Sequence, residues 1–110
     1  MAVRFSTTLC PRMQAAVDLL GRRWTALIVQ QLQEKPRRYS ELHEALDVMS
    51  ERMLIQRLKE LESAGVLLRN VIDDQPVRVE YQLTEKGRAL ARVIGGLQRW
   101  AEEWIPELTR

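Results

Sequence analysis

Three observations predict a mostly helical α+β fold. Apolar residues recur at three- and four-residue spacings through four separate segments. The period drops to two over Val77 to Leu83, and helical spacing then returns for the C-terminal stretch. The 110 residues suit a single domain, 1–110, with one hydrophobic core. No run approaches the ~20 apolar residues that cross a bilayer. Met1 to Ser6 lacks the extended apolar region of a secretory leader, so the expected location is cytoplasmic, with no membrane partner.

Pro11 suits the first position of a helix, where its missing N–H has no partner to lose. Met13, Ala16, Val17 and Leu20 then share one face, and Gly21 ends the segment. A second helix is expected over Arg23 to Glu34, with Trp24, Leu27, Ile28 and Leu32 inward and Pro36 closing it. Ser40 is the expected N-cap of a short helix, Glu41 to Leu46, with Leu42, Ala45 and Leu46 inward. Asp47-Val48-Met49 is a tight connection. Ser50 then caps a longer helix to Ala64, and Gly65 stands where a left-handed residue stops a helix. Two helices so joined, about 40–64, form a helix-turn-helix.

Val77, Val79, Tyr81 and Leu83 alternate with Arg78, Glu80 and Gln82, the pattern of a half-buried strand. Val66 to Ile72 is its expected partner, and Asp73-Asp74-Gln75-Pro76 supplies the turn. This two-stranded hairpin, about 66–83, directly behind the helix-turn-helix is a wing. Thr84 caps a last helix, about 84–105, that tolerates Gly87, Gly95 and Gly96 and stops before Pro106. The predicted architecture is therefore a winged helix-turn-helix with extra N- and C-terminal helices for dimerisation.

Net charge is only +2, so bulk basicity does not announce nucleic acid. Its distribution says more. Residues 1–40 hold Arg4, Arg12, Arg22, Arg23, Lys35, Arg37 and Arg38 against Asp18 and Glu34, and most cations are arginine. Arginine makes planar, bidentate contacts with phosphate and guanine that lysine cannot. On the Ser50–Ala64 helix, Leu54, Leu58 and Leu61 form a narrow apolar stripe. The opposite side presents Arg52, Gln56, Lys59 and Ser63, flanked by Met53, Arg57 and Glu60. Such a face meets a major groove with its first turns, where arginine reads guanine and glutamine reads adenine. A solvated helix face is the other reading of the same pattern. The wing favours the first, because Arg78 follows its turn on the polar side and is placed to reach a minor groove or phosphate. The candidate DNA-binding set is Arg38, Ser40, Ser50, Arg52, Met53, Gln56, Arg57, Lys59 and Arg78.

Leu90, Ile94, Leu97, Ala101 and Trp104 follow an a/d spacing, which Val93 and Trp100 widen. One small domain can bury such a stripe on its own core. A seam between two subunits accounts better for the tryptophans near its end, since large aromatics favour interface cores. Phe5 and Met13 are expected to join the seam. A homodimer places two probe helices in successive major grooves ~34 Å apart, so the expected operator is an inverted repeat in double-stranded DNA.

Cys10-Pro11, Leu20-Gly21-Arg22-Arg23-Trp24-Thr25, Arg38-Tyr39-Ser40-Glu41-Leu42, Ser50 to Glu62, Gly65-Val66-Leu67 and Pro76 to Gly87 together resemble the HxlR family of bacterial winged-helix regulators. The resemblance runs from Cys10 to about Trp104. It implies a dimeric transcriptional regulator distantly similar to the MarR group, acting near genes for detoxification or metabolism. Arg22 and Val48 stand where the family pattern has glycine, and Val77 where a second proline is common.

Cys10, the only cysteine, sits at a helix start beside Arg12, a setting that favours the thiolate. The resemblance implies a cysteine here that senses oxidants or electrophiles; a small buried hydrophobe is the alternative. One cysteine and one histidine, His43, leave no intrachain disulfide and no zinc set, so neither a metal nor a cofactor is expected. His43 reads as a surface or capping residue and Trp24 as core. A pocket lined by Trp24, Trp100 or Trp104 is a conceivable site for an aromatic effector. Enzymatic function is not expected, because the sequence shows no nucleophile–base pair and no phosphate loop. A winged helix used only for protein contacts is the remaining rival.

Overall fold

The computed structural model describes residues 10–108. Among them the chain forms α1 (Pro11–Leu20), α2 (Thr25–Gln31), β1 (Arg37–Arg38), α3 (Tyr39–Ala45), α4 (Glu51–Ser63), β2 (Leu67–Ile72), β3 (Arg78–Leu83) and α5 (Glu85–Trp104). The sheet is antiparallel in the order β1-β3-β2. The wing hairpin is thus joined by a third, two-residue strand, in which Arg37 pairs with Tyr81 and Arg38 with Glu80. Sequence periodicity cannot register so short a strand, because its pairing is wholly non-local.

One core holds the helix-turn-helix to the sheet and to the first half of α5. Ile28, Val29, Leu42, Leu46, Leu54, Leu58, Leu61 and Val66 are almost wholly buried, with Tyr81 and Leu83 from β3 and Ala91 and Ile94 from α5. Several local expectations are corrected. The second helix is shorter than expected, because Trp24 takes a left-handed conformation (φ 77°) and α2 starts only after it. Thr25 and Val29 turn inward, whereas Trp24 and Leu27 are only half-buried. The N-cap of α3 is Arg38, not Ser40, because the Glu41 carboxylate reaches back to accept from the Arg38 N–H at 2.8 Å. Leu42 and Leu46 turn inward as expected, but Ala45 is exposed and Met49 fills the core. Val77 lies outside β3 and is exposed.

The caps of α4 and α5 form as expected. The Ser50 hydroxyl accepts from the Met53 N–H at 3.1 Å. Gly65 has φ 77°, and its N–H and that of Val66 return to the Glu62 and Leu61 carbonyls, which closes α4 with a left-handed cap. Thr84 accepts from the Gly87 N–H at 3.0 Å and donates to the Gly65 carbonyl at 2.5 Å, while Lys86 donates to the Ala64 carbonyl at 2.6 Å. The end of α4 and the start of α5 are therefore one hydrogen-bonded joint. Gly87 is required there rather than tolerated, since a methyl group would collide with the Val66 carbonyl oxygen and press on Leu83.

The outer helices are poorly covered. No residue of α1 is buried, and Met13 and Val17 are exposed. Beyond Ile94, α5 exposes Leu97, Trp100 and Trp104. The radius of gyration, 16.3 Å, exceeds the ~13 Å of a compact domain near this length.

Gly87→Ala is expected to destabilise the fold by about 1–3 kcal/mol through overpacking at the joint. Gly95→Ala, whose methyl meets only the Arg99 side chain at 3.6 Å, is expected to be neutral or to stabilise by up to about 1 kcal/mol. Urea unfolding at one fixed protein concentration reads both, and equal effects would contradict the assignment.

Candidate nucleic-acid interface

The orientation of α4 follows from its core residues. Leu54, Leu58 and Leu61 are no more than 1% exposed. Rotation by 100° per residue then turns Arg52, Gln56, Lys59 and Ser63 outward, and all are exposed. Arg38 and Ser40, at the start of α3, and Ser50, at the cap of α4, are exposed as well.

Arg57 and Met53 do not lie on this free face. Met53 is half-buried against the core. Arg57 bends inward until its side chain is only 11% exposed. Its Nε donates to the Arg23 carbonyl at 2.9 Å, and one terminal nitrogen reaches both Glu60 oxygens at 3.2 Å. Glu60 also meets Arg22 at 3.5 Å and accepts from Gln56 at 3.4 Å. A helical wheel gives only the angle at which a side chain leaves the helix. Arginine is long enough to fold back from a flank to a buried acceptor.

Between α4 and the wing lies a concavity of about 740 Å³. Arg38, Lys59, Arg69 and Arg78 line it, with Glu62 as the opposing charge. Arg69 and Tyr39 are among the lining residues that the sequence candidates do not include. Register explains Arg69: it pairs across the wing with Tyr81, a placement that reading β2 in isolation does not reveal. Tyr39 donates to Glu51 at 3.2 Å and stacks on His43, with ring centroids 6.0 Å apart, so it braces the start of α3 against the start of α4. Arg78 is half-buried rather than free. It pairs with Asp74 at 3.4 Å across the turn and with Glu80 at 3.6 Å along the strand.

The C-terminal stripe divides. Leu90 and Ala101 are partly covered, while Val93, Leu97, Trp100 and Trp104 are exposed alongside Met13 and Val17 of α1. Ile94, expected in the seam, is 3% exposed because it packs into the chain's own core. Phe5 lies outside the described residues. The apolar concavity beside α5, about 820 Å³, is walled by Ala16, Leu19, Leu90 and Val93 with Arg12 and Lys86, not by tryptophan. Trp24 instead packs partly on the core and lies under the Arg23 guanidinium, 4.5 Å from the ring centroid.

Cys10 is the N-cap residue of α1 and is exposed in the single chain. The Met13 and Arg12 amides at the open helix start face its sulfur and pull the thiol below its ordinary value, with burial opposing them. Among the described residues no three metal-ligating side chains converge, and no helix is long and apolar enough to cross a membrane.

The family model described as HxlR-like helix-turn-helix matches residues 19–109. In sequence the chain is similar to the uncharacterized HTH-type transcriptional regulator YvaP of Bacillus subtilis (strain 168). The two are 54% identical over 97 residues, 88% of this chain and 90% of that protein. In structure it is similar to the reduced form of the transcriptional regulator YodB from B. subtilis, with a TM-score of 0.81 at 43% identity over 89% of this chain and 96% of that one. YodB has also been solved diamide-treated and quinone-bound. A further likeness is to the redox regulator HypR in its oxidized form, with a TM-score of 0.80 at 30% identity over 89% of this chain and all of that one.

Because the start of α1 favours the thiolate, Cys10 of the native chain is expected to alkylate at lower pH than in the urea-unfolded chain. Iodoacetamide rates followed from about pH 6 to pH 10 check this. A native midpoint at or above the unfolded one would remove the helix-start effect.

Proposed function

The chain belongs to the HxlR-like helix-turn-helix family of transcriptional regulators, and on that premise we propose that it is a homodimeric repressor released from its operator when Cys10 is oxidised or alkylated. One observation carries the DNA-binding half. The free face of α4 and the arginine-lined concavity beside the wing are continuous, sharing Lys59 between them. A major groove ~12 Å wide admits a helix. In the proposed docking Arg52 and Gln56 read base edges, and Lys59, Arg38, Ser40, Ser50 and Arg69 meet the backbone. Arg78 approaches the minor groove. Arg57 and Met53 leave the contact set: Arg57 positions α4 by holding the Arg23 carbonyl, and Met53 packs on the core.

The dimer reading rests on the uncovered apolar row Val93, Leu97, Trp100 and Trp104 and on the exposed Met13 and Val17. These side chains are large, and a second copy covers them by closing a two-fold seam. The inducer reading rests on an exposed thiolate-favouring Cys10 on α1 and on the likeness to regulators solved in oxidised and quinone-bound forms. With one cysteine per chain, any disulfide formed joins two subunits or is a mixed disulfide with a small thiol. A route to DNA exists within the chain. Movement of α1 pulls on the Gly21–Trp24 linker, which Arg57 and Glu60 tie to α4.

Footprinting is expected to reveal an inverted repeat with half-site centres about ten base pairs apart. Arg52→Ala and Gln56→Ala should each lose about 1–3 kcal/mol of base discrimination. Unchanged selectivity in both would refute the docking, and no duplex binding even at low salt would favour a protein-interaction module.

Diamide and quinones are expected to release the wild-type protein from operator DNA and to leave Cys10→Ser bound. Equal release of both proteins in an anisotropy assay would remove Cys10 from the mechanism.

A further inference from the structure

The wing carries a charge pattern that ordinary phosphate binding does not require. From Leu67 to Leu83 there are three carboxylates, Asp73, Asp74 and Glu80, against two guanidinium groups, those of Arg69 and Arg78. Asp73 and Asp74 are exposed at the turn, so the tip of the hairpin is acidic. A wing built only to add affinity would be cationic, because each neutralised phosphate adds to binding of any sequence.

The geometry of Arg78 is that of a restrained group. Its contacts at 3.4 Å to Asp74 and 3.6 Å to Glu80 are longer than the ~2.7–2.9 Å of a charge-assisted hydrogen bond. Its Nε is shut from solvent and faces the Glu80 carboxylate at 3.6 Å, just beyond hydrogen-bond distance. The two carboxylates therefore hold the guanidinium by charge, without a short hydrogen bond. The arrangement is also local: Asp74 lies four residues before Arg78 at the turn, and Glu80 two residues after it on the same strand face.

We propose that Asp74, assisted by Glu80, is a specificity-determining residue that withholds Arg78 from ordinary phosphates and yields it only to a strongly negative minor groove. This rests on the DNA-binding reading above and adds a role for the acidic tip. Near an average stretch of duplex, Asp74 competes with the phosphates for the guanidinium. A narrow A·T-rich minor groove concentrates negative potential and draws arginine in. There the groove outcompetes the carboxylates, and the guanidinium exchanges its long contacts to Asp74 and Glu80 for acceptors on the DNA. The effect of Asp74 is thus to lower affinity for wrong sequences more than for the right one.

The test uses the full chain, as wild type, Asp74→Asn, Arg78→Ala and the double variant, titrated by anisotropy at several salt concentrations. The probes are two duplexes of equal length: the footprinted operator and a G·C-rich scramble. Asp74→Asn is expected to bind the scramble about three- to fivefold more tightly and the operator with a smaller gain, so the specificity ratio falls. Its salt slope on the scramble should steepen by about 0.9, one additional phosphate. In the Arg78→Ala background the Asp74→Asn gain should vanish. Glu80→Gln should act in the same direction, which keeps the test open if the turn variant folds poorly. The proposal is overturned if Asp74→Asn leaves affinity for the scramble and its salt slope unchanged. It is equally overturned if the gain persists without Arg78, since Asp74 then contributes only bulk charge. Wild-type protein that binds neither duplex at low salt fails the DNA-binding reading itself, a different result from wild-type binding that Asp74→Asn does not alter.

Discussion

The rotation of α4 about its own axis is the constraint on which the rest depends. Leu54, Leu58 and Leu61 are buried together, and truncating any one of them would cost on the order of 2–5 kcal/mol. A turn of one residue would replace that stripe with Ile55, Lys59 and Glu62 or with Met53, Arg57 and Glu60, whose charges the core cannot solvate. The outward set is therefore a consequence of the inward one. Arg57 tightens the setting. Its guanidinium lies between the two faces and is satisfied by one carbonyl and one carboxylate. Removing Glu60 would leave a nearly buried cation with too few partners, a loss of a few kcal/mol in comparable sites.

The same helix is tied at its middle and at its C-terminal end to elements outside the helix-turn-helix. Through Arg57 and Glu60 it holds the linker in which Trp24 keeps a left-handed backbone, a conformation worth about 1–3 kcal/mol of strain in a residue with a side chain. Through Gly65, Val66, Thr84, Lys86 and Gly87 it is joined to α5. α1, which buries nothing, is the element least anchored in the isolated chain. It is also the element that carries Cys10. Under the proposed mechanism, a change at Cys10 would act where the fold resists least and would reach α4 through the linker held by Arg57 and Glu60.

What the sequence made legible was local. The Ser50 and Thr84 caps, the Gly65 stop and the leucine stripe each depend on residues within a few positions, and each formed as read. The α3 cap was misplaced by two residues because Glu41 closes on the Arg38 backbone, and Arg38 is not a residue type that announces a cap. Strand β1 escaped because two residues have no period. Arg57 escaped because its acceptor, the Arg23 carbonyl, lies 34 positions away. Arg69 joined the site only through cross-strand register. The α3 cap apart, the missing information was the identity of a distant partner.

The C-terminal stripe shows how one sequence pattern can serve two partners in succession. Gly87, Ala91 and Ile94 pack inward, and the exposed apolar residues dominate from Leu97 onward. An a/d spacing cannot mark where the change occurs, since both halves need the same face of the same helix. The division has a structural consequence. α5 is continuous across it, so the half that packs on the core and joins α4 at Gly87 is rigidly connected to the half that remains uncovered. A second copy closing on that uncovered half would set the angle between the two molecules through α5, and through the joint at Val66 it would set the separation of the two α4 helices. Dimer geometry and probe spacing are then one variable rather than two.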